Sequence, residues 1–279
     1  MFDLIDVPDS YLFQVTWDIG RRCNYDCSYC GPLRHNNWSS HASLEQLKDT
    51  ANFVLDYCDL YVKYRTVKEV NINFTGGEPT TNRNLIKLFE YIREQKRDYV
   101  ISIALTTNGA FPDKLVPELK RLTNQITVSY HCETSDAIKI PVQNRILAMQ
   151  DIGIELQVNV MMHKDPEYFE ECKELCYLLK DRGINYIPRV IGDDEDTVKP
   201  TTHRYSDEQM QWLRNHWAEN KKDLEHTENS NKNHCTGAYG TQLIAKGPVS
   251  LQRWFEASVT QNPSKKTNQV QDTNEAADD

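Results

Sequence analysis

Three cysteines fall within eight residues, Cys23-Asn-Tyr-Asp-Cys27-Ser-Tyr-Cys30, while the other five, Cys58, Cys132, Cys172, Cys176 and Cys235, are scattered. Thiolate is a soft metal ligand, and three on one short loop can hold three irons of a [4Fe–4S] cube, which normally takes four Cys. One iron is then left open to a substrate or cofactor, much as three-ligand catalytic zinc keeps a fourth position free. The same loop could instead hold zinc, completed by His35 or His41. In a reducing compartment such a tight cluster points to metal or catalysis rather than to disulfides.

A loop of this kind needs rigid elements to carry it. Residues 12–18 (LFQVTWD) form a β-branched and aromatic run just before the cysteines. Just after them Ser43 and Gln46 make a capping box, and Leu44, Leu47, Ala51, Val54, Leu55, Cys58 and Val62 recur at helical spacing. Further strands are expected over 69–75, 99–106, 125–131, 154–161 and 184–191, each followed by a helix-length segment, including one over 84–96. Their starts are 26 to 30 residues apart, the period of a βα unit, and alternating β and α implies a parallel sheet. Six such units fill residues 12–191, short of the roughly 250 residues of an eight-unit barrel. The expected fold is therefore α/β, an open partial (β/α)6 barrel of the TIM type.

Four of these strands place polar residues at alternate positions: Gln14, Thr16, Asp18; Asn71, Asn73, Thr75; Thr127, Ser129, His131; Glu155, Gln157, Asn159. Parallel strands covered on both faces read as continuous apolar runs, so one face here is wet. An antiparallel sheet with a solvated face would show the same alternation, but a helix after every strand makes that hard to build. The polar face is expected to line a lumen holding a polar ligand.

The chain of 279 residues carries 32 Lys and Arg against 41 Asp and Glu, a formal net charge of −9, which argues against nucleic acid as a partner. No stretch approaches the roughly 20 apolar residues of a membrane span. The N-terminus, MFDLIDVPDS, lacks the basic region of a secretory signal, so a cytoplasmic location is expected. Beyond the barrel unit, residues 1–192, an acidic run Asp193–Asp196 leads to a helix over 206–220 whose Met210, Leu213 and Trp217 could pack back on the barrel. Residues 193–260 are read as a helical capping extension, and 261–279, nearly devoid of apolar residues, as a disordered tail.

The Cys-x3-Cys-x2-Cys loop with Tyr29 before the last Cys resembles that of the radical S-adenosylmethionine (radical SAM) enzymes. Thr75-Gly76-Gly77-Glu78-Pro79 looks like the family's GGEP motif and Thr106-Thr107-Asn108-Gly109 like its TTNG turn, each at an expected strand end. The resemblance covers residues 12 to about 191 and implies the six-unit barrel as the fold. It further implies that Cys23, Cys27 and Cys30 ligate one [4Fe–4S] cluster whose open iron binds S-adenosylmethionine. The cluster would cleave that cofactor reductively to a 5′-deoxyadenosyl radical that abstracts hydrogen from a polar substrate. A flavodoxin- or ferredoxin-type electron donor is implied as well.

By the same resemblance Gly76 and Gly77 admit the methionine moiety, the backbone and Glu78 side of that loop receives its ammonium group, and Tyr29 lies near the adenine. Ser129 and His131 fall where the family contacts the ribose, with Asn159 pointing the same way. Arg189 is a candidate for a carboxylate or for substrate. From the residues alone, Gly76-Gly77 and Thr107-Asn108-Gly109 could be plain turns, and Ser129, His131, Asn159 and Arg189 ordinary polar residues of the lumen.

Relatives that modify peptides carry extra clusters in a Cys-rich C-terminal extension, whereas here only Cys235 follows Cys176, too few for a second cluster. A peptide-modifying maturase with a reduced extension stays open, as does a non-catalytic zinc module. Phe169, Cys172, Cys176 and Leu179 form a helical stripe, so the paired cysteines read as core.

Overall fold

Alternation within the strands and 3.6-residue periodicity between them build one parallel sheet with its helices on one side. The computed structural model describes residues 12–30, 35–64, 67–191, 205–217 and 242–246. The chain divides into two compact units, Met1–Gly247 and Pro248–Asp279, and every described residue lies in the first. Strands β1 (Leu12–Asp18), β2 (Glu69–Thr75), β3 (Val100–Thr107), β4 (Gln125–His131), β5 (Glu155–Met162) and β6 (Asn185–Val190) alternate with α1 (Leu44–Tyr64), α2 (Leu85–Arg93), α3 (Val116–Leu122), α4 (Asp136–Asp151) and α5 (Pro166–Asp181). The sheet order is β6-β5-β4-β3-β2-β1, every pair parallel. Because that order is monotonic and crossovers of this kind are right-handed, all the helices fall on one face.

That face is the core. Phe13, Val15 and Trp17 of β1, Val70, Ile72 and Phe74 of β2, and Ile126, Val128 and Tyr130 of β4 are buried beneath the helices. Phe74 joins the two layers, with ring centroids 5.2 Å from Trp17 and 4.8 Å from Phe89 of α2. The expected stripe of α5, Phe169, Cys172, Cys176 and Leu179, is buried as well. Helix α1 begins where its capping box places it: Gln46 N–H donates to Ser43 Oγ at 3.2 Å and Ser43 N–H to Gln46 Oε1 at 2.9 Å.

The opposite face keeps its alternate residues half-buried to exposed in β1, β2, β4 and β5. The polar side chains there partly satisfy one another across strands: Asn71 Nδ2 donates to Ser102 Oγ and Thr106 Oγ1 to Asn73 Oδ1, both at 3.1 Å.

Helix α6, residues 207–217, covers the β6 end of the sheet. A second capping box, Ser206 with Gln209, opens it; Met210 and Leu213 are buried, and Trp217 Nε1 donates to the Pro188 carbonyl at 3.0 Å. Pro188 has no N–H, so the edge strand offers fewer free backbone groups, and the Trp217 bond removes one more. Tyr205 joins the cover to the barrel, its hydroxyl donating to the Met162 carbonyl at 2.6 Å.

The stretch 193–260, read as a helical capping extension, also contains a strand near its far end. Gln242–Lys246 forms a seventh parallel strand, β7, paired with β1 from Gln14↔Gln242 to Asp18↔Lys246. This five-residue run has no periodic partner nearby, and its pairing spans more than 220 residues of sequence, so local pattern could not find it. The acidic run Asp193–Asp196, Cys235 and the tail 261–279 lie outside the described residues.

Candidate active site

Loops that follow parallel strands gather at the C-terminal edge of the sheet, and here three of them are bonded together. The chain leaves β1 still paired with its neighbour: Ile19 N–H donates to Thr75 O at 2.9 Å, Gly77 N–H to Gly20 O at 2.7 Å and Glu78 N–H to Arg22 O at 2.8 Å. The approach is too close for side chains. A Cβ on Gly76, whose φ is +133°, would lie 2.4 Å from Gly20 O, and one on Gly77 2.4 Å from Arg22 O. What these glycines admit here is the backbone that launches the cysteine loop.

The Glu78 carboxylate is buried and accepts hydrogen bonds from protein donors. Its Oε1 accepts Thr80 N–H, Thr80 Oγ1 and Thr107 Oγ1 at 3.0, 2.6 and 2.7 Å, and its Oε2 accepts Asn108 N–H at 2.6 Å. Burial pushes this carboxyl up from its ordinary pKa, and the hydrogen bonds oppose the push. Pro79, also buried, opens the 3-10 turn Pro79–Thr81. Asn108 passes the connection on, its Nδ2 donating to Asn24 Oδ1 at 2.8 Å and lying 3.9 Å from Cys23 Sγ. The TTNG turn and the GGEP loop thus jointly hold the first cysteine.

None of the three cysteines of the loop is in a disulfide, and Cys27 is buried with the other two half-buried. Burial raises the Cys23 pKa and pushes Cys27 up to about 12, so without metal both hold their protons. Metal binding expels such protons. Two donors already aim at Cys23 Sγ, Tyr25 N–H at 3.4 Å and Asn108 Nδ2, while His131 Nδ1 lies 3.6 Å from Cys27 Sγ. Hydrogen bonds to sulfur are a feature of iron–sulfur sites, so this donor set fits a cluster. Among the described residues, no three His, Cys, Asp or Glu side chains are gathered as a cage for a single ion. Thiolates on separate corners of a cube need not converge as the ligands of one tetrahedral zinc must. His35 Nε2 is bonded to Asp26 Oδ1 at 3.4 Å.

The far side of the loop rests on β4 and β5. The Tyr29 hydroxyl is 2.6 Å from His131 Nδ1 and the two rings stack at 5.9 Å, with His163 at 6.2 Å from Tyr29. Burial lowers His131 to a pKa of about 4, so it is neutral at physiological pH. Lower on the polar face, Ser129 pairs in register with Asn159, and Asn159 Oδ1 accepts Arg189 Nε at 3.3 Å and Gln157 Nε2 at 3.1 Å. The structure therefore brings Cys23, Cys27, Cys30, Tyr29, Gly76, Gly77, Thr107, Asn108 and His131 to one edge, with Ser129, Asn159 and Arg189 on the polar face of the same sheet.

The pattern of the Radical SAM superfamily matches residues 17–199, about two-thirds of the chain. The chain belongs to the radical SAM superfamily. Members use a [4Fe–4S] cluster and S-adenosylmethionine. The GTP 3′,8-cyclase of Campylobacter lari is 30% identical to it over 158 residues, covering 56% of this chain and 46% of that enzyme. The GTP 3′,8-cyclase of Sulfurimonas denitrificans is 25% identical over 226 residues, 77% of this chain and 66% of that one. The chain thus matches about half to two-thirds of the length of these curated relatives. In shape it resembles Streptococcus suis SuiB, solved bound to precursor peptide SuiA, with a TM-score of 0.54, 15% identity, and coverage of 89% of this chain and 52% of that one. At that identity the likeness is one of fold.

The cysteine loop is the part of the site most legible in sequence. Asn24, Glu133 and His163, which brace the loop, were missed. Each follows a strand at the edge where the chemistry gathers, and that position was the available signal. Among the described residues no helix is long and apolar enough to cross a membrane.

Proposed function

We propose that this enzyme holds its cluster on Cys23, Cys27 and Cys30 and acts on a polar substrate lying against the polar face of the sheet. The observation that carries the reading is the placement of the three cysteines, with two donors aimed at the Cys23 sulfur and His131 Nδ1 beside that of Cys27, at the edge of that face. When bound, the cluster supplies the electron that cleaves S-adenosylmethionine and so makes available a radical able to take hydrogen from substrate. The chain's own part is to bind and orient. Backbone of the Gly76–Pro79 loop flanks the methionine end, Tyr29 offers a ring face to the adenine, and Ser129 and Asn159 hydrogen-bond hydroxyls. A flavodoxin- or ferredoxin-type donor supplies the electron, in the reducing cytoplasm that free thiols favour.

The polar face also bears on substrate class. Relatives named GTP 3′,8-cyclase act, by that name, on GTP, and SuiB was solved with a precursor peptide. A triphosphate calls for several cations, whereas the polar face of β1–β6 sets one guanidinium, Arg189, beside the carboxylates Asp18, Glu69 and Glu155 and the amides Gln14, Asn71, Asn73, Gln125, Gln157 and Asn159, with Lys246 of β7 in register with Asp18. These amides suit the backbone of a peptide, which favours the maturase reading over a nucleotide substrate.

The test is anaerobic reconstitution with iron and sulfide, then reduction with S-adenosylmethionine present. Release of 5′-deoxyadenosine is expected, with stimulation by peptide rather than GTP. A folded protein that takes up one zinc and no sulfide would overturn the reading in favour of a metal-binding module.

A further inference from the structure

The turn between Cys27 and Cys30 consists of Ser28 and Tyr29, and it is gripped from outside the cysteine loop. Glu133, in the loop after β4, accepts Ser28 N–H through Oε2 at 2.8 Å and Ser28 Oγ through Oε1 at 2.5 Å. The same carboxylate meets His163 Nε2, after β5, at 3.2 Å. Both partners are largely shielded, with side chains 17% and 13% exposed. The His163 ring is backed by Tyr168 of α5, edge-on at 5.2 Å. A loop launched from β1 is thus tied to the ends of β4 and β5, three and four strands away across the sheet.

Within the turn one backbone bond closes it, Cys30 N–H to Cys27 O at 3.1 Å, and Ser28 is exposed to solvent. Two bonds from one carboxylate to the backbone and side chain of one residue fix both its position and its rotation. Since Ser28 adjoins Cys27, its rotation sets where the Cys27 sulfur points. Outer partners of metal ligands commonly act in this way.

We propose that Glu133 is a positioning residue of the cluster loop, orienting the Cys27–Cys30 turn through Ser28 and itself oriented by His163. The role rests on the function proposed above, but the grip on Ser28 can be tested without any cofactor. Glu133→Gln keeps both contacts to Ser28, its carbonyl accepting the N–H and its amide donating to the hydroxyl oxygen, but gives up the one to His163 Nε2, whose Nδ1 already accepts Asp165 N–H, so it separates the grip on Ser28 from the hold on Glu133. Glu133→Ala keeps neither.

Amide hydrogen exchange on the metal-free chain reads the grip. Ser28 exchange is expected to be at least about tenfold faster in Glu133→Ala than in wild type and near wild type in Glu133→Gln, because protection follows the hydrogen bond. Equal Ser28 exchange in all three proteins overturns the proposal. Reconstituted protein reads the consequence. With three cysteines intact, Glu133→Ala should bind as much iron as wild type, yet bind S-adenosylmethionine about 10- to 100-fold more weakly and give an altered electron paramagnetic resonance signal, with Glu133→Gln restoring both. Unchanged affinity and signal in Glu133→Ala would refute the positioning role. A wild-type chain that takes up no iron would overturn the functional reading and this role with it, even if Ser28 exchange behaves as described.

Discussion

Glu78 Oε2 accepts the Asn108 backbone N–H at 2.6 Å, so the loop after β2 holds the turn after β3 by a buried charge-assisted bond. Through Asn108 the same connection reaches Asn24 and Cys23. Glu78→Gln replaces one carboxylate oxygen by an amide that points a donor at donors. A loss of about 1–3 kcal/mol is expected, the cost of a buried group left unpaired. Urea unfolding of the metal-free chain measures it, and a midpoint equal to that of wild type would show that the Glu78 bonds contribute nothing.

Gly77→Ala tests whether the GGEP glycines serve the chain's own packing. The added Cβ would stand 2.4 and 2.5 Å from the carbonyl oxygens of Arg22 and Arg21, backbone atoms that cannot turn aside. Overpacking of this kind costs about 1–3 kcal/mol. Because the displaced backbone leads into Cys23, iron uptake should fall too. Gly183→Ala, in open space, should leave iron uptake intact, although its φ of +64° makes it mildly destabilising.

Cys58 and Cys176 are fully buried thiols far from the cluster loop in sequence, and burial pushes each up to about 12 from an ordinary 9.0. A raised pKa in the folded state means that the unfolded chain loses its protons first. Stability is therefore complete below pH 9.0 and falls between 9.0 and about 12, by about 1.4 kcal/mol per pH unit for each thiol. Unfolding under reducing conditions at pH 8 and pH 10 measures the slope, and Cys58→Ala should lessen it by one thiol's share. An unchanged slope in that variant would show that Cys58 ionises as easily folded as unfolded.

Iron analysis separates the two groups of cysteine. Wild type should bind about four irons per chain. Cys27→Ala should bind far less, while Cys172→Ala, which alters only a buried stripe of α5, should bind as wild type. Equal loss in both variants would mean that folding, rather than ligation, had been disturbed.

Strands β1 to β6 were legible to within a residue or so at their ends, because alternation of apolar and polar residues and the βα period are local signals. The capping box at Ser43 and the buried stripe Phe169, Cys172, Cys176 and Leu179 were legible for the same reason. Strand β7 was not, since its signal lies in a partner strand far away in sequence. Glu78 was recognised as part of a motif, but its burial and its bonds to Thr107 and Asn108 appear only when β2 and β3 lie side by side.

The sequence by itself determined the thiol donor set, the parallel α/β architecture and the polarity of one sheet face, all of which follow from residue type and short-range period. Only the tertiary structure decided what braces the cysteine loop. Asn24, Glu78 and Asn108 meet on one side of it, and Ser28, Glu133, His163 and Tyr29 with His131 on the other. Those contacts join residues up to 135 apart, such as Ser28 and His163 through Glu133, and hydrogen bonds of this kind depend on distances that local sequence does not encode.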